Sequence, residues 1–390
     1  MAKNAQIFEE ALEVFKKQFS REPEKVVAAP GRANIIGEHT DYNDGHVLPI
    51  AIDRYTVAAG ANRPDRIFKF YTANFNEKFE FNMDDLPQKR PQWVSYMMGV
   101  AAEIENDGFK MSGKEIAVYG NVPIGSGLSS SAALEIATAT LFERLEGWNM
   151  EDARMVNICR RADHNFVGVN SGPMDQFASR ACRKGHAGLL DCRSLEMTQH
   201  KLPDNILFLS IYSGIPRSLA TSEYNERQES CQKAVEILKK TNPGVTALRD
   251  ATTKMVEAAK HELGDRVYRR AKHVVTEEQR VFDILEAFTK NNLTRIGKLL
   301  LEGHKSLSVD YEVSLPILDE MIEWFYKRTG VIGARLTGAG FGGSLICLVE
   351  TEKTDIEELT ASFIEEFKNK TPESPEIWQL TTVDGAKYNH

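Results

Sequence analysis

Four short segments hold the side chains that bind and move charged groups. The first, Pro30 to Gly45, follows an apolar run and packs Arg32, Glu38, His39, Thr40 and Asp41 into ten positions. Taken alone the segment also reads as a solvated loop, but sugars demand dense, directional hydrogen bonds, and a carboxylate accepts from two hydroxyls at once. Arg32 suits a second task, stabilising charge on a phosphoryl group in transfer. The second segment, Asn121 to Ala133, carries Gly125, Ser126, Gly127, Leu128, Ser129, Ser130 and Ser131 between a strand pattern and a helical one. Glycines let backbone N–H groups approach a ligand. Serines cap a helix or offer hydroxyls to phosphate or metal, and the helix start favours an anion. A Gly-Lys-Ser/Thr ending and the third glycine of a dinucleotide fingerprint are both missing, so this is neither of those loops. A plain capped helix after a glycine turn would also read this way, but three serines exceed what one cap uses.

The third segment, Asp163 to Gln176, sets Asp163 late in a helical pattern and Asp175 after a Ser-Gly-Pro turn. Two carboxylates from a helix end and a loop can divide metal binding from base duty, or can be two surface acids beside a loop. The fourth, Gly333 to Gly343, has five glycines in eleven residues. It permits close backbone approach, to a ligand or to a packing neighbour.

Elements must present these segments. Apolar spacing predicts a helix over 5–19 and strands over 25–29, 47–52, 55–61, 67–71 and 115–119. Further helices are expected from near Ser129 and over 151–167, with buried strands at 187–190 and 206–212. After about residue 220 helical patterns dominate: 223–240, 266–289, 293–308 and 314–328. Strands at 333–336, 344–349 and 378–382 and a helix at 355–367 complete the chain. A mixed first half and a helix-rich second half give an α+β protein of two domains, 1–200 and 201–390.

Composition narrows the function. At 390 residues, 42% hydrophobic and 27% charged, the chain is globular and long enough for two cores. A net charge of -8 argues against a nucleic-acid footprint. Arg269, Arg270 and Lys272, followed by Glu277 and Glu278, read as a solvated helix face. Five cysteines without Cys-x-x-Cys spacing argue against a disulfide framework or structural zinc. No apolar run reaches membrane-spanning length and the start lacks a signal-peptide pattern, so a cytoplasmic protein is expected.

Taken together, the segments resemble the GHMP small-molecule kinase family. Gly125 to Ala132 is similar to its phosphate loop and Gly333 to Gly343 to its C-terminal glycine motif. Gly31 to Gly45 resembles the signature of the family's galactose-phosphorylating members. The resemblance covers essentially the whole chain. It implies an N-terminal domain like ribosomal protein S5 domain 2, a ferredoxin-like C-terminal domain, and an active site in the cleft between them. It also implies transfer of the γ-phosphoryl group of MgATP to the C1 hydroxyl of α-D-galactose, the entry step of the Leloir pathway, by a monomer. Arg32 would sit by the transferring phosphate, and Glu38, His39, Thr40, Asp41, Gly172 and Tyr224 would hold the sugar. Gly125 to Ser131 would wrap the ATP phosphates, with Thr72 near the nucleotide. Ser131 and Asp163 would hold Mg2+, although the family usually has glutamate where this chain has Asp163. Asp175 would contact the attacking hydroxyl, as a general base or as an orienting group. A guanidinium close by weakens a carboxylate as a base, and a loose phosphoryl-transfer transition state asks little of one. Two other readings are a kinase of a related sugar (N-acetylgalactosamine, galacturonate or arabinose) and a non-catalytic sugar sensor.

Overall fold

The computed structural model describes residues 2–216 and 220–388. The first half contains α1 (Ala2–Phe19), β1 (Lys25–Asn34), β2 (His46–Val47), β3 (Pro49–Asn62), β4 (Ile67–Thr72) and β5 (Glu77–Asn82). It continues through α2 (Gln92–Asn106), β6 (Lys114–Gly120), α3 (Ser130–Glu146), α4 (Asp152–Ala162), α5 (Met174–Ala181), β7 (His186–Asp191) and β8 (Glu196–Lys201). The second half contains β9 (Ile206–Tyr212), α6 (Ala220–Lys239), α7 (Thr253–Ala258), α8 (Lys260–Thr289), α9 (Leu293–Lys305) and α10 (Pro316–Tyr326). It ends with β10 (Val331–Leu336), β11 (Ser344–Glu350), α11 (Ile356–Phe367) and β12 (Glu376–Leu380).

Five strands form the first sheet in the order β1-β3-β6-β4-β5, antiparallel except where β4 runs parallel to β6. β3 is one strand where the apolar pattern suggested two. Asp53 and Arg54 interrupt the pattern, but there the strand meets the chain's late residues: Asp53 donates its N–H to Thr381 O and accepts from Thr381 N–H, both at 3.0 Å. Helix α1 packs against β3 and β6, closing Phe15 onto Ala59, Ala61 and Ala117. Helices α2, α3 and α4 bring Met97, Met98, Ile136, Leu141 and Ile158 into a second core with Phe68 and Phe70.

The second sheet is antiparallel, in the order β10-β11-β9-β12, and the later helices share its core. A third apolar cluster crosses between the halves. Ile35 and Ile36 of the first motif lie with Val281 and Ile284 of α8 and Ile346 and Leu348 of β11. The chain crosses between the sheets twice, because residues 381–388 leave β12 and return to the first domain. There Val383 N–H donates to Ala51 O at 3.1 Å and Ala386 joins the core beside α3.

The helix-face reading of Arg269 to Glu278 is corrected. Arg270 is 1% exposed and Glu277 0%. Arg270 is paired with Glu312, and Glu277 faces the domain interface. Alternating charges looked like a surface because their partners lie far along the chain. Helix α8 also starts earlier than expected, but Gly264 breaks it at φ 68°, so its continuous part matches the apolar pattern.

Candidate active site

Arg32 stands near the end of β1, past a register shift between Pro30 and Arg32. It is 3% exposed and its fork closes on Asp175: Nε donates to Oδ1 at 2.7 Å and Nη2 to Oδ2 at 2.6 Å. Nη1 donates to Gly127 O at 2.6 Å, tying the same guanidinium to the glycine-serine loop. This is the planar, two-point geometry that distinguishes arginine from lysine. Asp175 lies in the first turn of α5, directly after Pro173 and Met174, where the helix dipole favours a carboxylate. Ser129 Oγ also donates to Asp175 Oδ2.

Of the two uses open to the serines, capping α3 is not the one that Ser129 takes. Ser129 occupies the cap position at φ 62° but makes no side-chain bond to the helix. Its hydroxyl is turned to Asp175 instead. A positive φ is costly for a non-glycine residue and is held by its surroundings. The first N–H groups of α3 are left facing a cavity of 630 Å3 lined by Thr72, Gly125, Gly127, Ser129, Ser130 and Ser131. Phe75 and Ile124, 49% and 62% exposed, flank it. Ser126 and Leu128 do not line it. Ser126 Oγ donates to Pro123 O, and Leu128 is part of the interdomain core.

A second cavity, of 310 Å3, adjoins the first. Arg32, Glu38, His39, Asp41, Gly172, Tyr224, Asp163, Ser131 and Asp175 all line it. Four residues line both cavities: Gln92, Tyr96, Ser131 and Asp175. Thr40 stands apart: it is fully buried, and its hydroxyl lies 2.7 Å from both Gly37 O and His46 O, closing the loop. His39 sits at φ 66°, with Nδ1 2.8 Å from Tyr42 Oη, and Tyr42 Oη is 2.8 Å from Tyr311 Oη. Gly172 packs so closely on Asp41 that a Cβ there would overlap the carboxylate. Gly338 and Ala339 of the late glycine segment form another part of the wall, and Ser344 Oγ donates to Ser126 O at 2.7 Å across the domains.

Electrostatics differ around this cavity. Burial, helped by the nearby Asp175 charge, pushes Asp41 up to about 6. Burial pushes Glu38 up to about 7 despite Arg335. Burial alone would raise Glu277 too, but Arg335 and then Arg280 hold it below the usual carboxylate range. Asp163, 6% exposed, is raised by burial and accepts from Ser171 Oγ at 2.9 Å and Gln176 Nε2 at 3.1 Å. Gln176 Nε2 also reaches Glu135 Oε2 at 3.0 Å. Burial, then the Asp163 charge, pushes Glu135 well above its ordinary value.

Sequence reasoning missed Gln92, Tyr96, Glu135 and Gln176. Gln92 and Tyr96 are four apart and share a face of α2. Gln176 closes the third segment without having been given a role, and Glu135 lies two residues past the second.

Two cavities meeting at a gripped carboxylate, between a mixed first domain and an antiparallel second sheet, are the arrangement of a GHMP kinase. The GHMP kinase N-terminal domain matches residues 95–182 and the GHMP kinase C-terminal domain residues 284–369. A mevalonate kinase crystal structure, at 16% identity, shares the fold with a TM-score of 0.63 over 93% of this chain and 100% of that one. The galactokinase galactose-binding signature matches residues 13–62. The chain is 38% identical to a galactokinase of Roseiflexus sp. over 97% of its length and 96% of the relative's. It is 39% identical to one of Haemophilus influenzae over 88% and 90%. A crystal structure of Lactococcus lactis galactokinase complexed with galactose superposes with a TM-score of 0.91 at 31% identity, covering 97% of this chain and 98% of that one. The chain belongs to the galactokinase family.

Proposed function

We propose that this galactokinase-family chain moves the γ-phosphoryl group of MgATP to the C1 hydroxyl of α-D-galactose, giving α-D-galactose 1-phosphate and ADP. The observation that carries the reading is the meeting of the two cavities at Asp175, held by Arg32. The larger cavity takes the nucleotide. Its glycine-serine loop and uncapped helix start favour phosphates, while Phe75 and Ile124 offer apolar surface to a base. The smaller takes the sugar against Glu38, His39, Asp41, Gly172 and Tyr224.

Asp175 accepts the C1 hydroxyl proton and aims the oxygen into the larger cavity. Arg32 fixes the carboxylate and lies where charge on the transferring group can be offset. A loose transition state asks for positioning more than for a strong base, which suits a carboxylate already gripped by three donors.

Ser131 and Asp163 fit a magnesium ion held chiefly by nucleotide phosphates. Both offer hard oxygens to the smaller cavity, and among the described residues no cluster of three or more His, Cys, Asp or Glu forms an all-protein metal cage. When bound, Mg2+ would neutralise charge on the phosphates. Gln176 Nε2 donates to both Asp163 and Glu135 and so orients the pair.

Coupled ADP release with MgATP would be measured across galactose, glucose, N-acetylgalactosamine, galacturonate and arabinose. Turnover with galactose well above the others supports the proposal, and preference for another sugar moves the substrate while keeping the chemistry. Galactose binding without turnover on any sugar overturns it in favour of a sensor.

A further inference from the structure

The Glu38 carboxyl is held in an unusual way. It is fully buried and lines the smaller cavity; its own backbone N–H and the Asn34 side chain lie near enough to favour its charged form, but neither oxygen has a donor in hydrogen-bonding alignment among the described residues. Its close cation is Arg335, on β10 of the second domain. Nη2 lies 2.7 Å from Glu38 Oε2, near enough for an ion pair but off the N–H direction. That same nitrogen donates to Glu277 Oε1, on α8, at 2.7 Å. Both Arg335 and Glu277 are 0% exposed.

Glu277 holds the same loop by its backbone. Its Oε1 accepts the Gly37 N–H at 2.9 Å, one residue before Glu38, and its Oε2 accepts from Arg280 Nε at 2.7 Å. His273, one turn earlier on α8, has Nε2 3.1 Å from Glu38 O. The guanidinium of Arg335 fits only because residue 303 on α9 is glycine: a Cβ there would lie 2.6 Å from Nη1.

An ion pair that served folding alone would satisfy its carboxylate, since a buried charge without hydrogen bonds is costly. Here both Glu38 oxygens keep acceptor capacity and border a cavity that hydroxyl-rich molecules fit. We propose that Arg335, seated by Glu277 and by the space at Gly303, is a positioning residue that aims Glu38 at the sugar. Arg335 thereby sets sugar affinity from the second domain without itself touching the sugar. This rests on the assignment of Glu38 to the sugar above.

The test is a double-mutant cycle in the full chain, reading KM for galactose, KM for ATP, kcat and thermal midpoint. Arg335→Lys keeps the charge and loses the fork. It is expected to raise galactose KM about tenfold, the worth of one charge-assisted hydrogen bond, with ATP KM within about twofold. In a Glu38→Gln background the same change is expected to add less than about twofold, because the residue it acts through is gone. Gly303→Ala, which crowds the guanidinium while suiting a helix, carries the same two expectations if Arg335→Lys does not fold. Equal effects in both backgrounds, or equal rises in galactose and ATP KM, overturn the proposal. An unchanged galactose KM in Glu38→Gln alone overturns the sugar assignment together with it, which tells the two failures apart.

Discussion

The two ends of the sugar cavity are built differently. At one end, Asp175 is gripped by Arg32 and Ser129, from the same domain and within one core's reach. At the other, Glu38 and His39 belong to the first domain but lean on Arg335, Glu277, His273 and, through Tyr42, Tyr311 of the second. Chemistry needs reacting groups fixed within fractions of an ångström, which one rigid core supplies. Recognition tolerates a shared boundary and gains from it, because the cavity is complete only when both domains are in place.

The comparison makes turnover most sensitive to the first end and sugar affinity to the second. Asp175→Asn is expected to lower kcat about 10²-fold or more with ATP KM kept, and near-normal turnover would remove Asp175 from the mechanism. Gly172→Ala forces a methyl onto the Asp41 carboxylate, so galactose KM should rise more than about tenfold while ATP KM holds. An equal rise for ATP would mean that the two cavities are not independent. Asp163→Asn should raise the Mg2+ concentration for half-maximal rate about tenfold while leaving galactose binding without nucleotide unchanged. A magnesium titration reads this, and an unchanged midpoint removes Asp163 as a ligand.

The pH profile gives a smaller effect. Asp41 is raised to about 6, facing Asp175, Arg160 and Arg32. Where binding uses the ionised form, galactose KM is flat above that pH and climbs about tenfold per unit below it. The sign for folding is opposite. The folded state binds this proton more tightly than the unfolded chain, so stability from this group is full below about 4 and is lost as pH rises through about 6. Asp41→Asn should flatten both profiles. Thr40→Val strips two carbonyls of a shared donor and should cost about 1–2 kcal/mol in denaturant unfolding, with relative rates on different sugars kept. A changed sugar preference would return Thr40 to the binding surface.

The residues that line the two cavities were largely readable in the sequence, because glycines, serines and acids clustered within short segments name a polar loop. The residues that hold them in place were not. Arg335 sits in an apolar strand and Glu277 among alternating charges, so local pattern gives the first no partner and reads the second as solvent-facing. Their meaning comes from a pairing that spans 58 positions of chain. Tyr96 and Gln92 were hidden for another reason: no helix was expected over 92–106, so nothing placed the two on one face. Helix α5 was unexpected because the Ser-Gly-Pro turn reads as an end, although proline near a helix start is well placed.

The return of residues 381–388 to the first domain has a mechanical consequence. A pair of domains joined by one peptide crossing can swivel about three axes. Here two crossings run side by side, with Leu380 opposite Phe208 on adjoining strands, and the later one is pinned at Asp53, Ala51, Lys184 and Gly185. Twisting would shear those contacts. Any opening of the two domains would turn about the line of the two crossings, and it would have to part the apolar cluster that joins Ile35 to Val281 and Ile346.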